Sequence, residues 1–108
     1  MAFNMNIEQV PEGILVTSEG DLDINSSPEL RESVIEVLKK APQEVIFDFT
    51  NLNYLDSTGL GALMAIYKVA QAGGSSIHIR KAKKNVRKLF AITELDKEFI
   101  MEDRDGNC

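Results

Sequence analysis

The residues best suited to chemistry form one short stretch, Tyr54-Leu55-Asp56-Ser57-Thr58-Gly59-Leu60-Gly61. A strand gives way to a helix here, and a helix N-terminus favours an anion through its unpaired N–H groups and its dipole. Ser57 is therefore a candidate phosphorylation site, because a phosphate of about −1.5 to −2 charge would strongly change a surface with few other acids. Gly59 and Gly61 remove bulk from the first turn, which would let a phosphate or another backbone approach.

Three other interpretations of this stretch stay open. An ordinary helix cap, with Asp56 or Ser57 accepting from backbone N–H groups, explains the same residues. A nucleotide site is weakly supported, because no Lys follows the glycines and no G-x-G-x-x-G pattern is present. A catalytic serine is least favoured, because it would need a base and His78 is the sole histidine of the chain.

Composition narrows the function further. The chain has 108 residues, enough for a single domain spanning 1–108 with one core. Its single cysteine is the last residue, Cys108, which argues against a disulfide framework and a Cys-rich metal site. No apolar run reaches the roughly 18 residues of a membrane span, and the N-terminus lacks the pattern of a signal peptide. We therefore expect a cytoplasmic, non-enzymatic protein that uses no cofactor and no metal.

The net charge of −5 conceals a strong asymmetry along the chain. Residues 49–93 hold seven basic residues and a single acid, Asp56, whereas the segments on either side are acidic. Six of the bases cluster near the third predicted helix: Arg80, Lys81, Lys83, Lys84, Arg87 and Lys88. We interpret them as a solvated helix face, because the chain is acidic overall and no aromatic residues alternate with the bases. We expect no nucleic-acid or membrane binding, and little effect on partner binding from neutralising Lys83, Lys84 and Lys88.

Hydrophobic periodicity predicts an α/β domain with a mixed β-sheet, an N-terminal hairpin and helices packed mainly on one face. The run Val45-Ile46-Phe47-Asp48-Phe49 is typical of a central parallel strand buried on both faces, and Leu52 and Leu55 would flank a short connection after it. Other strands are predicted at 4–10, from 14 onward and at 76–79, helices at 28–40, 58–72 and 83–91, and a strand or helix at 99–101. Residues 103–108 are predicted to fray.

Two helix starts carry further predictions. Ser26-Ser27-Pro28-Glu29 indicates a serine cap, proline at the first helical position and an acid in the first turn, and Pro42 ends that helix. The helix at 58–72 has Lys68 as its only charged residue. It is interpreted either as a helix buried against the sheet or as one whose first turns also present apolar surface to a partner beside Ser57.

The sequence resembles STAS-domain anti-sigma factor antagonists, also called anti-anti-sigma factors, of bacterial partner-switching systems. The resemblance runs from about residue 5 to residue 102. Its most specific part is Asp56-Ser57-Thr58-Gly59-Leu60-Gly61, and its second is Gly20-Asp21-Leu22-Asp23 followed by Ser27-Pro28-Glu29-Leu30. A third match comprises Gly73-Gly74 and the segment from Arg87 to Leu95, where Glu94 stands at a position that is commonly Gly in the family. The turn at Glu94 is therefore expected to differ.

The resemblance implies a function. Unphosphorylated antagonists bind an anti-sigma factor that is also a serine kinase of ATPase-like fold, which releases a sigma factor. Phosphorylation of the serine that matches Ser57 would switch binding off, and a metal-dependent serine phosphatase would restore it. The implied partner-binding residues are Asp21, Asp23, Asp56, Thr58, Gly59 and Leu60. The alternatives are a small nucleotide-binding or phosphotransfer domain, or a STAS subunit of a sensory complex.

Overall fold

Every predicted strand and helix is present in the computed structural model, which describes residues 3–102. The strands are β1 (Phe3–Val10), β2 (Gly13–Leu22), β3 (Val45–Leu55), β4 (Ile77–Arg80) and β5 (Ile100–Glu102), and the helices are α1 (Ser27–Lys40), α2 (Ser57–Ala72) and α3 (Lys84–Ile92). A short 3-10 helix, Leu95–Lys97, precedes β5. The final element is thus a strand rather than a helix, and the tail predicted to fray, 103–108, lies outside the described residues.

The five strands form one mixed sheet in the order β1-β2-β3-β4-β5. β1 and β2 pair antiparallel as the predicted hairpin, whereas β2, β3, β4 and β5 pair parallel to their neighbours. Because α1 follows β2, α2 follows β3 and α3 follows β4, each helix returns the chain to start the next strand. The carboxyl ends of β2, β3 and β4 therefore meet at one edge of the sheet, which we call the carboxyl edge.

The hydrophobic core lies between the helices and one face of the sheet. Alternate strand residues such as Val16, Phe47 and Ile79 are fully buried there, in one cluster with the inward stripes of all three helices. In α1 that stripe consists of Ser27, Leu30, Val34 and Leu38. The prediction of helices mainly on one face is confirmed, because the strands alternate apolar residues toward the helices with other residues away from them.

The second face of the sheet is polar, and the prediction that β3 is covered on both sides is wrong. The residues that alternate with the core positions, among them Asp48, His78 and Arg80, are half-buried and belong to no helix-lined cluster. Ile46 is buried on this face, with 2% of its surface exposed. The apolar residue at this position misled the sequence interpretation, because flanking side chains within a sheet can bury a residue without any covering helix.

β3 is longer than predicted, and Leu52 and Leu55 belong to it rather than to a connection. The pairing with β2 shifts twice, so that Asp21 lies opposite Tyr54 although Gly20 lies opposite Leu52. Asn53 is the extra residue at the second shift, a β-bulge. A bulge changes the direction of the side chains that follow it. Leu52 and Leu55 therefore both remain buried, while Asn53 and Tyr54 between them are exposed.

Candidate functional site

The helix start at Ser57 is capped by the residue before it. Asp56 has extended backbone, and its Oδ1 accepts a hydrogen bond of 3.0 Å from the Gly59 N–H, while its carbonyl accepts from the Leu60 N–H at 2.9 Å. Of the two caps left open by the sequence, Asp56 is therefore the one used. The Ser57 hydroxyl is exposed and makes no hydrogen bond within residues 3–102. It is free to react, and its loss would not remove the cap.

Thr58 is also exposed in the first turn of α2, whereas Gly59 and Leu60 are buried. The space beside Gly59 is filled by this chain itself, because a Cβ there would lie 2.5 Å from the carbonyl oxygen of Leu22 and 2.6 Å from Cδ1 of Leu55. The expected approach of a phosphate or a partner backbone at Gly59 is thus replaced by contact with the end of β2. A Cβ on Gly61 would meet nothing within 4 Å.

The end of β2 and the loop that follows it carry the two acidic residues of the second motif: Asp21 is the second-last residue of β2 and Asp23 the first residue of the loop, and both are half-buried at the carboxyl edge. Asp23 Oδ1 accepts from the Asn25 N–H at 2.9 Å, and the Asp23 carbonyl accepts from the Ser27 hydroxyl at 2.6 Å. The Asp23 side chain therefore stabilises the turn through one carboxylate oxygen and also supplies a negative charge to this edge.

The predicted serine cap of α1 is wrong in detail. Ser26 occupies the cap position but makes no capping hydrogen bond. Its hydroxyl instead donates to the Asp21 carbonyl at 2.7 Å and accepts from the Asp23 N–H at 3.0 Å. The serine closes the loop in front of the helix, which fixes the two aspartates relative to each other.

Two exposed apolar side chains beside these aspartates had not been recognised in the sequence. Ile24, in the β2–α1 loop, is 68% exposed, and Tyr54, opposite Asp21 near the end of β3, is 48% exposed. Large apolar side chains exposed next to each other are typical of protein contact sites. The signal in the sequence is weak, because only the bulge at Asn53 turns Tyr54 outward.

The chain after β4 approaches the same edge from the other side. Lys83 donates to Asn53 Oδ1, and Asn85 Nδ2 donates to the Asn53 carbonyl at 3.1 Å. Lys81, Lys83 and Lys84 are all exposed. Asn53 therefore connects this basic segment to β3, a contact between residues that are about 30 positions apart and that no local pattern predicts.

α2 packs as a core helix over most of its length. Leu60, Leu63 and Ile66 are buried, and Met64 and Tyr67 are half-buried against the core. The apolar surface beside Ser57 thus comes from Ile24 and Tyr54 rather than from α2. No helix in the part of the chain that the structure describes is long and apolar enough to cross a membrane.

His78 lies on the polar face of the sheet, and both of its ring nitrogens are occupied. Nδ1 lies 2.8 Å from Glu102 Oε2, and Nε2 lies 2.8 Å from Glu44 Oε1. Partial burial favours the neutral ring, but the hydrogen bonds to the two glutamates outweigh it and raise the pKa of His78 above its ordinary value. The histidine is thus engaged as a structural group and not as a base for Ser57.

A mixed sheet with helices on one face, and an exposed serine at the start of the helix after the central strand, define a small α/β domain with an accessible hydroxyl at one edge. The STAS domain family matches residues 4–106 of the chain. The chain is 28% identical over 95 residues to the anti-sigma-B factor antagonist of Bacillus subtilis (strain 168), covering 88% of this chain and 86% of that protein. It is 30% identical over 95 residues to the anti-sigma-B factor antagonist of Staphylococcus epidermidis, covering 86% and 88%.

Solved structures share the fold. A putative anti-sigma factor antagonist from Thermotoga maritima superposes with a TM-score of 0.86 at 17% identity, covering 94% of this chain and 87% of that one. The Bacillus cell fate determinant SpoIIAA in its phosphorylated form gives a TM-score of 0.76 at 20% identity, covering 97% and 93%. The chain belongs to the STAS domain family, as the motif around Ser57 indicated.

Proposed function

We propose that this protein is an anti-sigma factor antagonist whose unphosphorylated form binds an anti-sigma factor and thereby releases a sigma factor. The observation that carries the proposal is the Ser57 hydroxyl, which is exposed in the first turn of α2 at the carboxyl edge and makes no hydrogen bond within residues 3–102. The names of the related antagonists from Bacillus and Staphylococcus support it. The protein acts in the cytoplasm and catalyses no reaction.

Phosphorylation of Ser57 is the proposed switch. The anti-sigma factor is a serine kinase of ATPase-like fold, and a metal-dependent serine phosphatase reverses the modification. The domain itself tolerates the phosphate, because the N-terminus of α2 provides free N–H groups and a favourable dipole. The contact surface does not, because about two negative charges are added beside Asp21, Asp23 and Asp56, and desolvating them against a partner costs several kcal/mol.

The proposed partner-binding residues have different roles. Asp21, Asp23 and Thr58 are accessible and would contact the anti-sigma factor directly. Asp56 caps the helix, while Gly59 and Leu60 are buried and hold the turn in place, so they act through the position of Ser57.

The test uses the purified anti-sigma factor from the same genome. Wild-type protein should bind it without ATP and should gain one phosphate on Ser57 with ATP, as seen by mass spectrometry. Ser57→Ala should bind but resist phosphorylation, with little loss of stability because Asp56 is the cap. Ser57→Asp should lose binding while the free energy of unfolding stays within about 1 kcal/mol of wild type.

Thr58→Ala is the control for the site of modification and not for affinity, because it removes the neighbouring exposed hydroxyl, which is itself a proposed contact. It should still be phosphorylated on Ser57 and released. Phosphate found on Thr58 instead, or a Ser57→Asp protein that binds as wild type does, would refute the proposed switch.

A further inference from the structure

The basic segment after β4 places positive charge at the N-terminus of α3, where positive charge is unfavourable. Lys83 occupies the cap position of α3 and Lys84 is its first residue, and the first turn contains no acid. A helix N-terminus carries partial positive charge, so cations are disfavoured there and acids are preferred. Lys81 adds a left-handed backbone with φ of 60°, a conformation that costs energy for a residue with a side chain. These choices destabilise the domain locally, so stability does not account for them.

Several other cations of the domain are compensated, although Arg31, Lys68 and Lys88 also form no ion pair with a described residue. Lys39 and Lys40 lie in the last turn of α1, where the dipole favours them. Arg80 pairs with Glu102 and Lys97 with Glu94. Among the described residues no carboxylate pairs with Lys81, Lys83 or Lys84. We call these three exposed lysines the cationic loop.

Topology places the cationic loop beside the proposed docking site. β2 and β4 flank β3 on opposite sides, and all three run parallel. Asp21 at the end of β2 and Asp23 just after it therefore lie on one side of the end of β3, and the segment after β4 reaches its other side through the contact of Lys83 with Asn53. Asn53, one residue before the exposed Tyr54, receives hydrogen bonds from Lys83 and Asn85 and ties the loop to this edge.

We propose that the cationic loop forms a second half of the docking surface and receives an acidic segment of the anti-sigma factor, with Tyr54 as the apolar centre between the two charged halves and Ile24 beside the aspartates. This inference rests on the proposed function and specifies its partner chemistry. It replaces the expectation that these lysines form only a solvated helix face. An edge that is acidic on one side and basic on the other accepts a partner of opposite polarity in one orientation only, which gives specificity.

The test compares two charge reversals of equal size. Lys83→Glu/Lys84→Glu changes the cationic loop, and Lys39→Glu/Lys40→Glu changes the far end of α1 by the same charge. Binding to the immobilised, ATP-free anti-sigma factor is measured at about 50 mM and about 300 mM salt. We expect the loop variant to associate roughly tenfold or more slowly at the lower salt, with a smaller deficit at the higher salt, and the control to stay within about twofold.

Lys84→Glu alone guards against misfolding, since an acid in the first turn favours the helix and the Lys84 side chain makes no hydrogen bond or ion pair within residues 3–102. It should show part of the same deficit in association with a melting temperature at or above that of wild type. Equal binding of the two double variants overturns the inference and leaves the proposed function intact. If wild-type protein does not bind the anti-sigma factor, the proposed function itself is refuted, and the inference that depends on it is refuted with it. Salt-sensitive binding of a duplex DNA oligonucleotide by wild type and not by the loop variant would assign the lysines to nucleic acid and overturn the inference.

Discussion

Asp23 combines an observed structural contact with its proposed role in partner binding. Its Oδ1 accepts from the Asn25 N–H, which shapes the β2–α1 loop, while the charge of the group faces the carboxyl edge. Asn and Ala substitutions separate the two contributions, because an asparagine keeps the accepting oxygen and loses the charge, whereas an alanine loses both.

We predict that Asp23→Asn weakens binding to the anti-sigma factor at least several-fold while the melting temperature changes little. Asp23→Ala should weaken binding similarly and also cost about 1 kcal/mol of stability, because the turn loses its hydrogen bond. Calorimetric titration and urea unfolding of both variants test this. Normal binding by Asp23→Asn would show that the carboxylate serves only the turn.

The two glycines of the Ser57 motif are predicted to respond in opposite directions. Gly59→Ala places a Cβ 2.5 Å from the Leu22 carbonyl oxygen, a backbone atom that cannot move alone, so overpacking should destabilise the domain by about 1–3 kcal/mol. Gly61 lies in the same helix, and a Cβ added there meets nothing within 4 Å. Gly61→Ala should therefore stabilise the domain by about 0.5–1 kcal/mol. Urea unfolding curves of both variants give the comparison. Equal changes in the free energy of unfolding for the two variants would show that close packing of α2 against the end of β2 does not require Gly59.

At the scale of elements, the segment after α3 is fixed by aromatic packing. Phe99 stacks on Tyr67 of α2 and meets Phe90 of α3 edge-on, with ring centroids 5.4 Å apart in both pairs. To bring Phe99 back to the helices, the chain must reverse directly after α3. Glu94 makes this reversal with φ of 63°, so the turn has the left-handed form that glycine adopts most readily. The expectation that the turn differs because glycine is absent is not supported by this geometry.

We predict that Glu94→Gly stabilises the domain by about 0.5–1 kcal/mol, because relief of the left-handed strain exceeds the added entropy of the unfolded chain. The ion pair of Glu94 with Lys97 is exposed and its loss matters little. Glu94→Val is the opposing control and should destabilise the domain, since a β-branched residue is poorly tolerated at positive φ. Thermal unfolding of the three proteins should rank them Gly, Glu, Val; a glycine variant below wild type would contradict the strain argument.

At the scale of the whole molecule, the polar face of the sheet links segments that are distant in sequence. His78 of β4 bridges Glu44, which precedes β3, and Glu102 of β5. The hydrogen bond from His78 lowers the pKa of Glu44, and the hydrogen bond from Arg80, followed by that from His78, lowers the pKa of Glu102. The face is therefore most stable where the histidine is protonated and both glutamates are ionised.

This linkage predicts a pH dependence. The raised pKa of His78 contributes stability that is complete below its ordinary value of about 6.5 and is lost as the pH rises through the raised value. The lowered pKa values of the glutamates contribute stability above about 4.5 that is lost in acid. His78→Gln should therefore cost about 1 kcal/mol near pH 6, after allowance for solvent exposure, and much less near pH 9. Urea unfolding of wild type and His78→Gln at both pH values tests this. A loss of stability that is the same at both pH values would exclude the ionic contribution.

Much of the fold could be predicted from the sequence, because the relevant signals are local. The hairpin, the three helices and the buried run at Val45 follow from periodicity and turn residues within a few positions. The helix start at Ser57 was also evident, since Asp, Ser and glycine at these positions favour a capped first turn. The motif thus predicted Ser57 as the candidate phosphorylation site.

Only the tertiary structure decided what surrounds that start, because the deciding contacts join residues far apart in the chain. Gly59 is required by Leu22, about 37 positions earlier, and Asn53 holds Lys83, 30 positions later. Which face of the sheet stays polar depends on how side chains of neighbouring strands cover one another, and Ile46 is buried without a helix above it. Sequence periodicity indicates which side chains of a helix or strand share its buried face. The identity of the neighbour across space is set only when the strands align.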